Sequence, residues 1–506
     1  MQENNILKES FLDVDVSKDL EENLKYVSEI FDKCDDLIIR RINIGGNPAY
    51  GAAIIYINGM PEEEYIEQSV IQRLIDAFID NEDENNINII PQRLLGLNEG
   101  NILKNLTKVF DAIVNGDTVL IIDGVDHVLD IFTQDPPTRA IEEPQTETVI
   151  RGPREGFTEA IDINVTLIRK KIMNPNLKVE NMRIGTQTRS KVKIIYLSNI
   201  ANPKIVEEVK NRLSRIELDS GLDSTYISEY IQDPTPYSIV PTTYKTEKPD
   251  KAASKILEGR VLIFADGSPI ALIVPCVFIE FLHSSEDYYS NAVFATVSRF
   301  IRAGAFIVAI LLPAFWVSIV TYHIELIPTS LVVSVIKARS GVPFSSLWET
   351  FFMMLIFEVL REAGIRMPRT VGQTISVVGA VIIGQAAVQA GLVSVPVIII
   401  VSVTTLSSYT IPSPEMIDMT LLPRFILLFM GGYFGLVGVL SLMIIFLTYM
   451  VSLRSFGVPF MGGYAPIAGD TLQDSLVRMP LETMKKRPRL FTWRDSIRRK
   501  SRRKKY

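Results

Sequence analysis

The sequence predicts an α/β N-terminal region with two subdomains, followed by an α-helical polytopic membrane domain. Two observations support this division of the 506 residues. Short β-branched runs alternate with amphipathic runs of helical spacing up to about residue 285, which is typical of α/β units. Residues 1–302 carry 80 charged side chains, whereas residues 303–453 carry only 12. The composition excludes collagen-like, disordered and disulfide-scaffold proteins.

The N-terminal half divides into three parts. We expect a mobile segment over residues 1–35, a first α/β subdomain over 36–150 and a second over 151–285. The turn signal Asp266–Gly267 predicts a hairpin in the second subdomain. The expected strands are Asp36–Ile44, Tyr50–Asn58, Thr118–Asp123, Thr146–Arg151, Lys191–Ser198, Arg260–Ala265 and Pro269–Pro275. The expected helices are Glu62–Asp80, Phe157–Ile172 and Pro203–Leu218.

Three stretches of the second half contain no charged residue. They are Ala303–Tyr322, Val371–Ile411 and Phe425–Leu453, with 20, 41 and 29 residues. A bilayer core of about 30 Å requires about 20 helical residues. We therefore expect one span, two spans and one tilted span. The transmembrane domain covers residues 286–453 with about four full spans.

The charges near both ends predict that both termini are cytoplasmic. Met1–Leu20 contains five acidic residues and no apolar leader, and Arg299 and Arg302 precede the first span. Residues 454–506 hold 14 basic and 4 acidic side chains, so they form a basic cytoplasmic tail. This tail either lies on anionic headgroups or is simply solvated. Both termini on one side require an even number of crossings.

No catalytic constellation is found in the sequence, which has no phosphate-binding loop and no dinucleotide fingerprint. Asp123, Asp126 and Asp130 lie close in sequence, but without a glycine-based coordination loop a solvated strand edge is favoured over a metal site. Cys34 and Cys276 have no paired spacing and are expected to be reduced thiols. We therefore expect no enzyme activity, no cofactor and no metal.

Four charged residues interrupt the apolar segment 347–366. They are Glu349, Glu358, Arg361 and Glu362. The last three fall within about 100° on a helix, and Glu349 points to the opposite side. Charges at membrane depth indicate function unless the helix lies at the interface. If segment 347–366 crosses the membrane completely, the basic tail lies outside. If the segment is interfacial or re-entrant, the basic residues around it lie outside, against the positive-inside rule. Both placements stay open.

The second charge-free stretch contains three glutamines and several small residues. Gln385 and Gln389 share one helix face, and Gln373 lies at the start of the stretch. Glutamines at this depth either bond across packed helices or line a pore. Gly431–Gly435 has the Gly-x-x-x-Gly spacing of helix packing.

Six motifs give the chain a resemblance to the A subunit of the GerA family of spore germinant receptors. The resemblance covers roughly residues 145–470, and the order and spacing of the motifs carry it. The motifs are Gly152–Phe157 (GPREGF), Glu258–Pro269 (EGRVLIFADGSP), Gly341–Glu349 (GVPFSSLWE), Glu358–Pro368 (EVLREAGIRMP), Gly372–Gly391 (GQTISVVGAVIIGQAAVQAG) and Phe456–Pro466 (FGVPFMGGYAP).

The resemblance implies a receptor subunit in the inner membrane of dormant spores, which acts with a transporter-like B subunit and a lipoprotein C subunit. It also implies self-association into a pentamer that forms a cation channel gated by germinant binding. In such a channel the candidate pore residues are Glu349, Glu358, Arg361, Glu362, Gln373, Gln385 and Gln389. The alternative is a non-conducting scaffold that recruits partners to the B subunit.

Overall fold

The computed structural model describes residues 14–46, 50–76, 101–134, 143–144, 147–149, 151–233, 238–366, 382–492 and 497–498. Two five-stranded antiparallel sheets form the N-terminal half, and apolar helices form the region that follows. The predicted fold class, an α/β region with two subdomains followed by a helical region, is therefore confirmed.

The first subdomain is one sheet between two layers of helices, with the strand order β1-β2-β4-β5-β3. Alternate residues of β2 face opposite layers, since Ile55 packs with α1 and α3 while Ile54 packs with α2. The strands are β1 Leu37–Asn43, β2 Gly51–Ile57, β3 Asn101–Leu103, β4 Thr118–Ile122 and β5 Val128–Ile131. The helices are α1 Leu20–Ile30, α2 with segments Glu63–Tyr65, Ile66–Ile71 and Gln72–Ile75, and α3 Leu106–Asn115.

The second subdomain repeats this architecture. Its sheet has the order β6-β7-β9-β10-β8, so both sheets follow the order 1-2-4-5-3 when counted from their own first strand. The strands are β6 Leu177–Ile184, β7 Ser190–Leu197, β8 Tyr244–Thr246, β9 Val261–Ala265 and β10 Ala271–Val274. The helices are α4 Ile161–Lys171, α5 Pro203–Ser214, α6 Ser224–Ile231 and α7 Pro249–Ile256. The two subdomains are thus structural repeats.

Local sequence signals predicted α4, α5, β7, β9 and β10 of the second subdomain, whereas β6, β8, α6 and α7 were not expected. The strand expected at Lys191–Ser198 is β7, and the expected hairpin is the antiparallel pair β9 and β10. α5 begins where predicted, because the Asn202 side chain accepts from the backbone N–H of Lys204 at 3.1 Å and Pro203 occupies the first turn. The strand expected at Thr146–Arg151 is wrong for its described residues, which form no strand.

Residues 14–35 differ from the mobile segment expected over residues 1–35. α1 packs into the first subdomain, and Val27 is fully buried there. Leu20, Leu24 and Val27 are spaced to share one face of a helix. The acidic residues of this segment gave it the composition of a mobile tail. In the structure, the acidic residues Glu21 and Glu22 lie on the exposed face of α1.

A buried ion pair joins the two subdomains. Arg169 of α4 donates two hydrogen bonds of 2.9 Å to the two carboxylate oxygens of Asp36, and neither side chain is more than 2% exposed. Backbone hydrogen bonds connect Lys33 and Asp35 to Val179 of β6. Removing either partner would leave an uncompensated buried charge, so this bidentate contact ties the two subdomains together.

The described part of the helical region contains α8 to α14. Among the described residues, α9 and α14 are long and apolar enough to cross a membrane by length and composition. The four-span count stays a prediction, because residues 371–381 lie outside the described residues. The helices are α8 Glu286–Tyr289, α9 Ala292–Tyr322, α10 Thr329–Arg339, α11 Ser346–Arg366, α12 at residues 382–389, α13 Val395–Tyr409 and α14 Pro414–Ser452.

α14 reverses its direction at Gly435. This residue has φ 63° and ψ −153°, a conformation that is open essentially to glycine alone. A Cβ built at Gly438 would lie 2.6 Å from the carbonyl oxygen of Met430, although eight residues of straight helix extend about 12 Å. α14 therefore consists of an outgoing arm, residues 414–434, and a returning arm, residues 436–452. The single tilted span expected at Phe425–Leu453 is wrong.

Contacts between the arms and α9 define the direction of each element. Ala309 contacts Arg424, and the Tyr322 hydroxyl donates to the Gly432 carbonyl at 3.0 Å, so α9 and the outgoing arm run parallel. The returning arm brings Tyr449 back to the second subdomain, where its hydroxyl lies 3.0 Å from that of Ser238. Both ends of the helical region therefore contact the same subdomain.

The C-terminal segment 454–492 is part of the fold, which differs from the tail expected over residues 454–506. Phe460 and Phe491 are at most 1% exposed and lie in the core of the second subdomain. The Phe491 ring also lies 4.0 Å from the guanidinium carbon of Arg260. The segment contains β11 Arg454–Ser455, β12 Val458–Pro459 and α15 Gly469–Leu472.

Candidate functional site

A narrow cleft lies between α11, α13 and the outgoing arm of α14. Apolar side chains such as Phe357 and Leu421 form part of its wall. Its remaining wall is polar, which is unusual among helices of this hydropathy. The polar side chains include Glu358, Arg361, Thr404, Ser408, Thr420 and Arg424.

Two of the predicted site residues meet in this cleft. Arg361 Nε donates to Glu358 Oε1 at 2.7 Å, across one helical turn of α11. Arg361 also lies 3.5 Å from the carboxylate of Asp418 on the outgoing arm. Asp418 is largely exposed, whereas the pair on α11 is mostly buried. Glu358 and Arg361 thus lie on the side of α11 that points at α14, whereas Glu362, expected within the same 100°, pairs with Arg366 instead.

Arg424 is the cleft residue that the sequence reasoning missed. Its residue exposure is only 7%, and its described hydrogen bonds all go to uncharged oxygens. It lies directly before the charge-free stretch that begins at Phe425, so counting uncharged runs placed it outside the candidate set. A search for single charges between two apolar stretches would have found it. The cleft therefore combines fixed charges of both signs with hydroxyl groups, which can replace part of the hydration shell of an ion.

Glu349 lies away from the cleft, on the opposite side of α11 as predicted. Its side chain is fully buried, and Oε1 accepts from the backbone N–H of Ser394 at 2.5 Å. Ser394 is the N-cap residue of α13, so the carboxylate occupies the positive end of that helix. Arg339 approaches the other oxygen at 3.9 Å. This geometry gives Glu349 a role in fixing the start of α13.

The other candidate residues that the structure describes do not line the cleft. Glu362 forms an exposed pair with Arg366, at 2.6 Å on the last turns of α11. Gln385 and Gln389 are exposed on α12. Gln373 lies outside the described residues. The role of all four in a pore stays a prediction.

The acidic residues considered for metal binding are spread over the first subdomain. Asp123 accepts from the backbone N–H of Leu20 at 3.1 Å. Asp130 is buried in β5, and burial together with the charge of Asp117 raises its pKa to about 6. In the part of the chain that the structure describes, no three His, Cys, Asp or Glu side chains are placed to hold a metal ion.

Comparison with known proteins covers almost the whole chain. Residues 25–490 match the family model described as Bacillus/Clostridium GerA spore germination protein. The chain belongs to the GerA family. The predicted family is thereby confirmed, and with it a place among the A subunits of spore germinant receptors.

Several GerA relatives match nearly end to end. Spore germination protein KA of Bacillus subtilis is 39% identical over 96% of this chain and 88% of its own length. Spore germination protein GerLA of Bacillus cereus is 34% identical over 96% and 98%. The crystal structure of the N-terminal domain of the A subunit of the Bacillus megaterium spore germinant receptor GerK3 is 32% identical, with a TM-score of 0.41, and covers 53% of this chain and 98% of that one.

Three of the GerA motifs meet in the second subdomain. From the first motif, the Pro153 carbonyl accepts from Lys248 Nζ at 2.7 Å. The second motif supplies Arg260, whose guanidinium is bound by the carboxylate of Glu280. Phe460 of the last motif is fully buried against the ring of Phe281. These three motifs therefore contribute to the second subdomain and the C-terminal segment 454–492, which together we call the platform.

A cluster of ion pairs joins the platform to the first turns of α9. Asp287 accepts from Arg299 at 3.1 Å and from Arg302 at 2.5 Å. Arg299 also donates to Asp474 of the C-terminal segment at 2.8 Å. We call Asp287, Arg299, Arg302 and Asp474 the α9 joint. From the sequence alone, both arginines served only as topology signals, because their acidic partners Asp287 and Asp474 belong to other elements of the structure.

His283 gives the α9 joint a pH dependence. Its Nε2 lies 2.9 Å from the Ser475 carbonyl oxygen and must carry the proton, because a carbonyl only accepts. Burial and the charge of Arg299 lower its pKa from 6.5 to about 3. Below pH 6.5, His283 therefore binds a proton in the unfolded state but stays neutral in the folded state until the pH approaches 3. Its contribution to stability is complete above pH 6.5 and is lost progressively as the pH falls towards 3.

His283→Gln is expected to remove this pH dependence, since glutamine offers an N–H donor but does not titrate. In detergent, lowering the pH from 6.5 to about 5 should lower the thermal midpoint of the natural chain relative to that of the variant. Asp130, with a pKa of about 6, adds a slope of opposite sign that is the same in both proteins, so the difference between them reports His283. Glu280 and Asp474 do not interfere, because both have a pKa of about 2 in the folded state. His127→Gln is the control and should keep the slope. Equal slopes for both variants would contradict the assignment.

Proposed function

We propose that this chain is the A subunit of a nutrient germinant receptor and that copies of it form a germinant-gated cation channel in the spore inner membrane. The observation that carries the proposal is the polar cleft of Glu358, Arg361 and Arg424 among apolar helices. Charges at this depth are costly unless they are paired or face water. A subunit that only recruits partners has no need of them.

The arrangement of α9 and α14 supports a platform on one side of the membrane. α9 starts at the second subdomain and the returning arm ends there, so the crossings between them are even in number. With a cytoplasmic platform, both termini are cytoplasmic. α11 then runs towards the platform, since Glu349 lies at the far end with Ser394 while Arg361 lies beside Asp418 near the start of α14. With this direction Arg366 would lie on the cytoplasmic side, in accord with the positive-inside rule, whereas Arg339, beside Glu349, would lie on the opposite side.

In the part of the chain that the structure describes, the polar cleft lies between three helices of one subunit, and we propose that several copies together form the conducting path. Large apolar side chains on α11 and α13 are exposed in the single chain, among them Phe352, Val359, Ile399 and Leu406. Such faces contact either lipid or neighbouring copies. We propose a pentamer of this chain, working with a transporter-like B subunit that receives the nutrient and a lipoprotein C subunit.

Glu358→Gln is expected to change conduction. The substitution leaves Arg361 and Arg424 as an excess of positive charge in the cleft, which repels cations. We expect at least a tenfold lower K⁺ flux through liposomes that contain the receptor, or a shift of selectivity towards anions. Flux is measured with a potassium-sensitive dye before and after germinant addition.

Glu64→Gln removes an exposed carboxylate on α2 and is the control for a change of net charge. It should leave the K⁺ flux unchanged. If the natural chain conducts in no combination with its partners, the subunit is a scaffold instead. If it conducts and Glu358→Gln changes neither rate nor selectivity, the cleft is not on the path.

A further inference from the structure

Pro313 interrupts the hydrogen-bond ladder of α9. In a regular helix the N–H of residue 313 would donate to the carbonyl of Ala309 four residues earlier, but proline has no N–H. Ala309 is fully buried, so water cannot satisfy this carbonyl. An unpaired carbonyl in an apolar environment is costly. The Ala309 carbonyl oxygen therefore needs a hydrogen-bond donor from outside α9.

Arg424 supplies that donor from another helix. Its Nε donates to the Ala309 carbonyl oxygen at 2.6 Å. The same guanidinium donates to Ser408 Oγ of α13 at 2.7 Å and to Thr420 Oγ1 of its own arm at 3.0 Å. One side chain thus connects three helices at the level of the proline.

The approach of the two helices is close at this level. A Cβ built at Gly431 would lie 2.6 Å from Ser318 Oγ and 2.7 Å from the Ala314 carbonyl oxygen. Gly431 therefore allows α14 to pack closely against α9, whereas Gly435, the second glycine of the Gly-x-x-x-Gly pair, allows α14 to reverse its direction. This tight contact keeps Arg424 within reach of the interrupted turn.

We propose that Arg424 is a positioning residue that replaces the hydrogen bond lost at Pro313 and so locks α9 to α13 and to the outgoing arm. Its charge is incidental to this role, whereas its Nε–H is essential. The hydroxyls of Ser408 and Thr420 do not depend on it, because each also donates to a carbonyl of its own helix. Removing Arg424 therefore leaves one group unsatisfied, the Ala309 carbonyl. This role does not require that the chain conducts ions.

A double-mutant cycle on the full chain in detergent tests the proposal. Arg424→Met removes the donor and should lower the midpoint of thermal unfolding by several degrees, since a buried carbonyl loses its partner. Pro313→Ala restores an N–H at residue 313, so the Ala309 carbonyl is satisfied within α9. In that background Arg424→Met should cost less than about half as much, which is a positive coupling between residues on different helices.

Arg361→Met is the matched control, because Arg361 faces the same cleft but bonds only to carboxylates. Its effect should add to that of Pro313→Ala without coupling. If Arg424→Met yields no folded protein, the readout is recovery: Pro313→Ala should restore a monodisperse protein. Additive effects at Arg424, or failure of Pro313→Ala to restore folding, would overturn the proposal, whether or not the chain is a channel.

Discussion

Glu280→Gln is expected to lower the free energy of unfolding by about 3–5 kcal/mol, the cost of breaking a buried ion pair from one side. Glu280 Oε2 accepts from Arg260 Nη1 at 2.5 Å, and Oε1 accepts from Lys255 Nζ at 2.7 Å. All three side chains are at most 10% exposed. Burial acts to raise the pKa of Glu280, but the two cations outweigh it and hold the pKa at about 2. The variant would leave more positive than negative charge inside the platform.

Chemical denaturation of the purified chain, followed by tryptophan fluorescence, measures this loss. Glu21→Gln is the control, because Glu21 pairs with Arg41 at the surface with 63% of each side chain exposed. An exposed pair contributes at most about 1 kcal/mol. Similar losses for the two variants would show that the buried network contributes no more than a surface pair.

Asp287→Asn is expected to uncouple the platform from α9. The substitution removes the carboxylate that Arg302 contacts and leaves Arg299 with Asp474 alone. Arg299 is 1% exposed, so the change costs about 3–5 kcal/mol locally. Since the α9 joint is the charged contact between the α/β region and the first long helix, we expect germinant-triggered K⁺ release from spores to be lost or delayed.

Limited proteolysis distinguishes uncoupling from unfolding. Cleavage of the Asp287→Asn variant should increase around residues 283–292, while the platform itself stays resistant. Asp126→Asn, an exposed carboxylate beside His127, is the control and should leave both cleavage and release unchanged. Normal release from spores that contain a susceptible joint would contradict a role of the joint in gating.

Local signals predicted elements whose causes are local. The cap at Asn202, the proline after it and the Asp266–Gly267 turn act within a few residues, and the structure has α5 and the β9–β10 hairpin at those places. The shared strand order of the two sheets depends on pairings far apart in sequence, which periodicity does not encode. Antiparallel pairing throughout the two sheets was likewise not predicted.

The candidate site was predicted in part for the same reason. Helical spacing placed Glu358 and Arg361 on one face, and both line the cleft. Arg424 was missed because its importance comes from Pro313, which is 111 positions earlier and on another helix. The reversal at Gly435 was missed because a glycine in an apolar run is typical of close helix packing, and only its positive φ reveals the turn.

The C-terminal segment has a consequence for biosynthesis. The described strands and helices of the first subdomain lie within residues 20–131, so it can fold while the ribosome is still synthesising the rest. The second subdomain needs Phe460 and Phe491 in its core, and these leave the ribosome only after every apolar helix has been made. Completion of the platform therefore waits for membrane insertion, and a chain truncated before residue 460 would carry intact helices on an unfinished base.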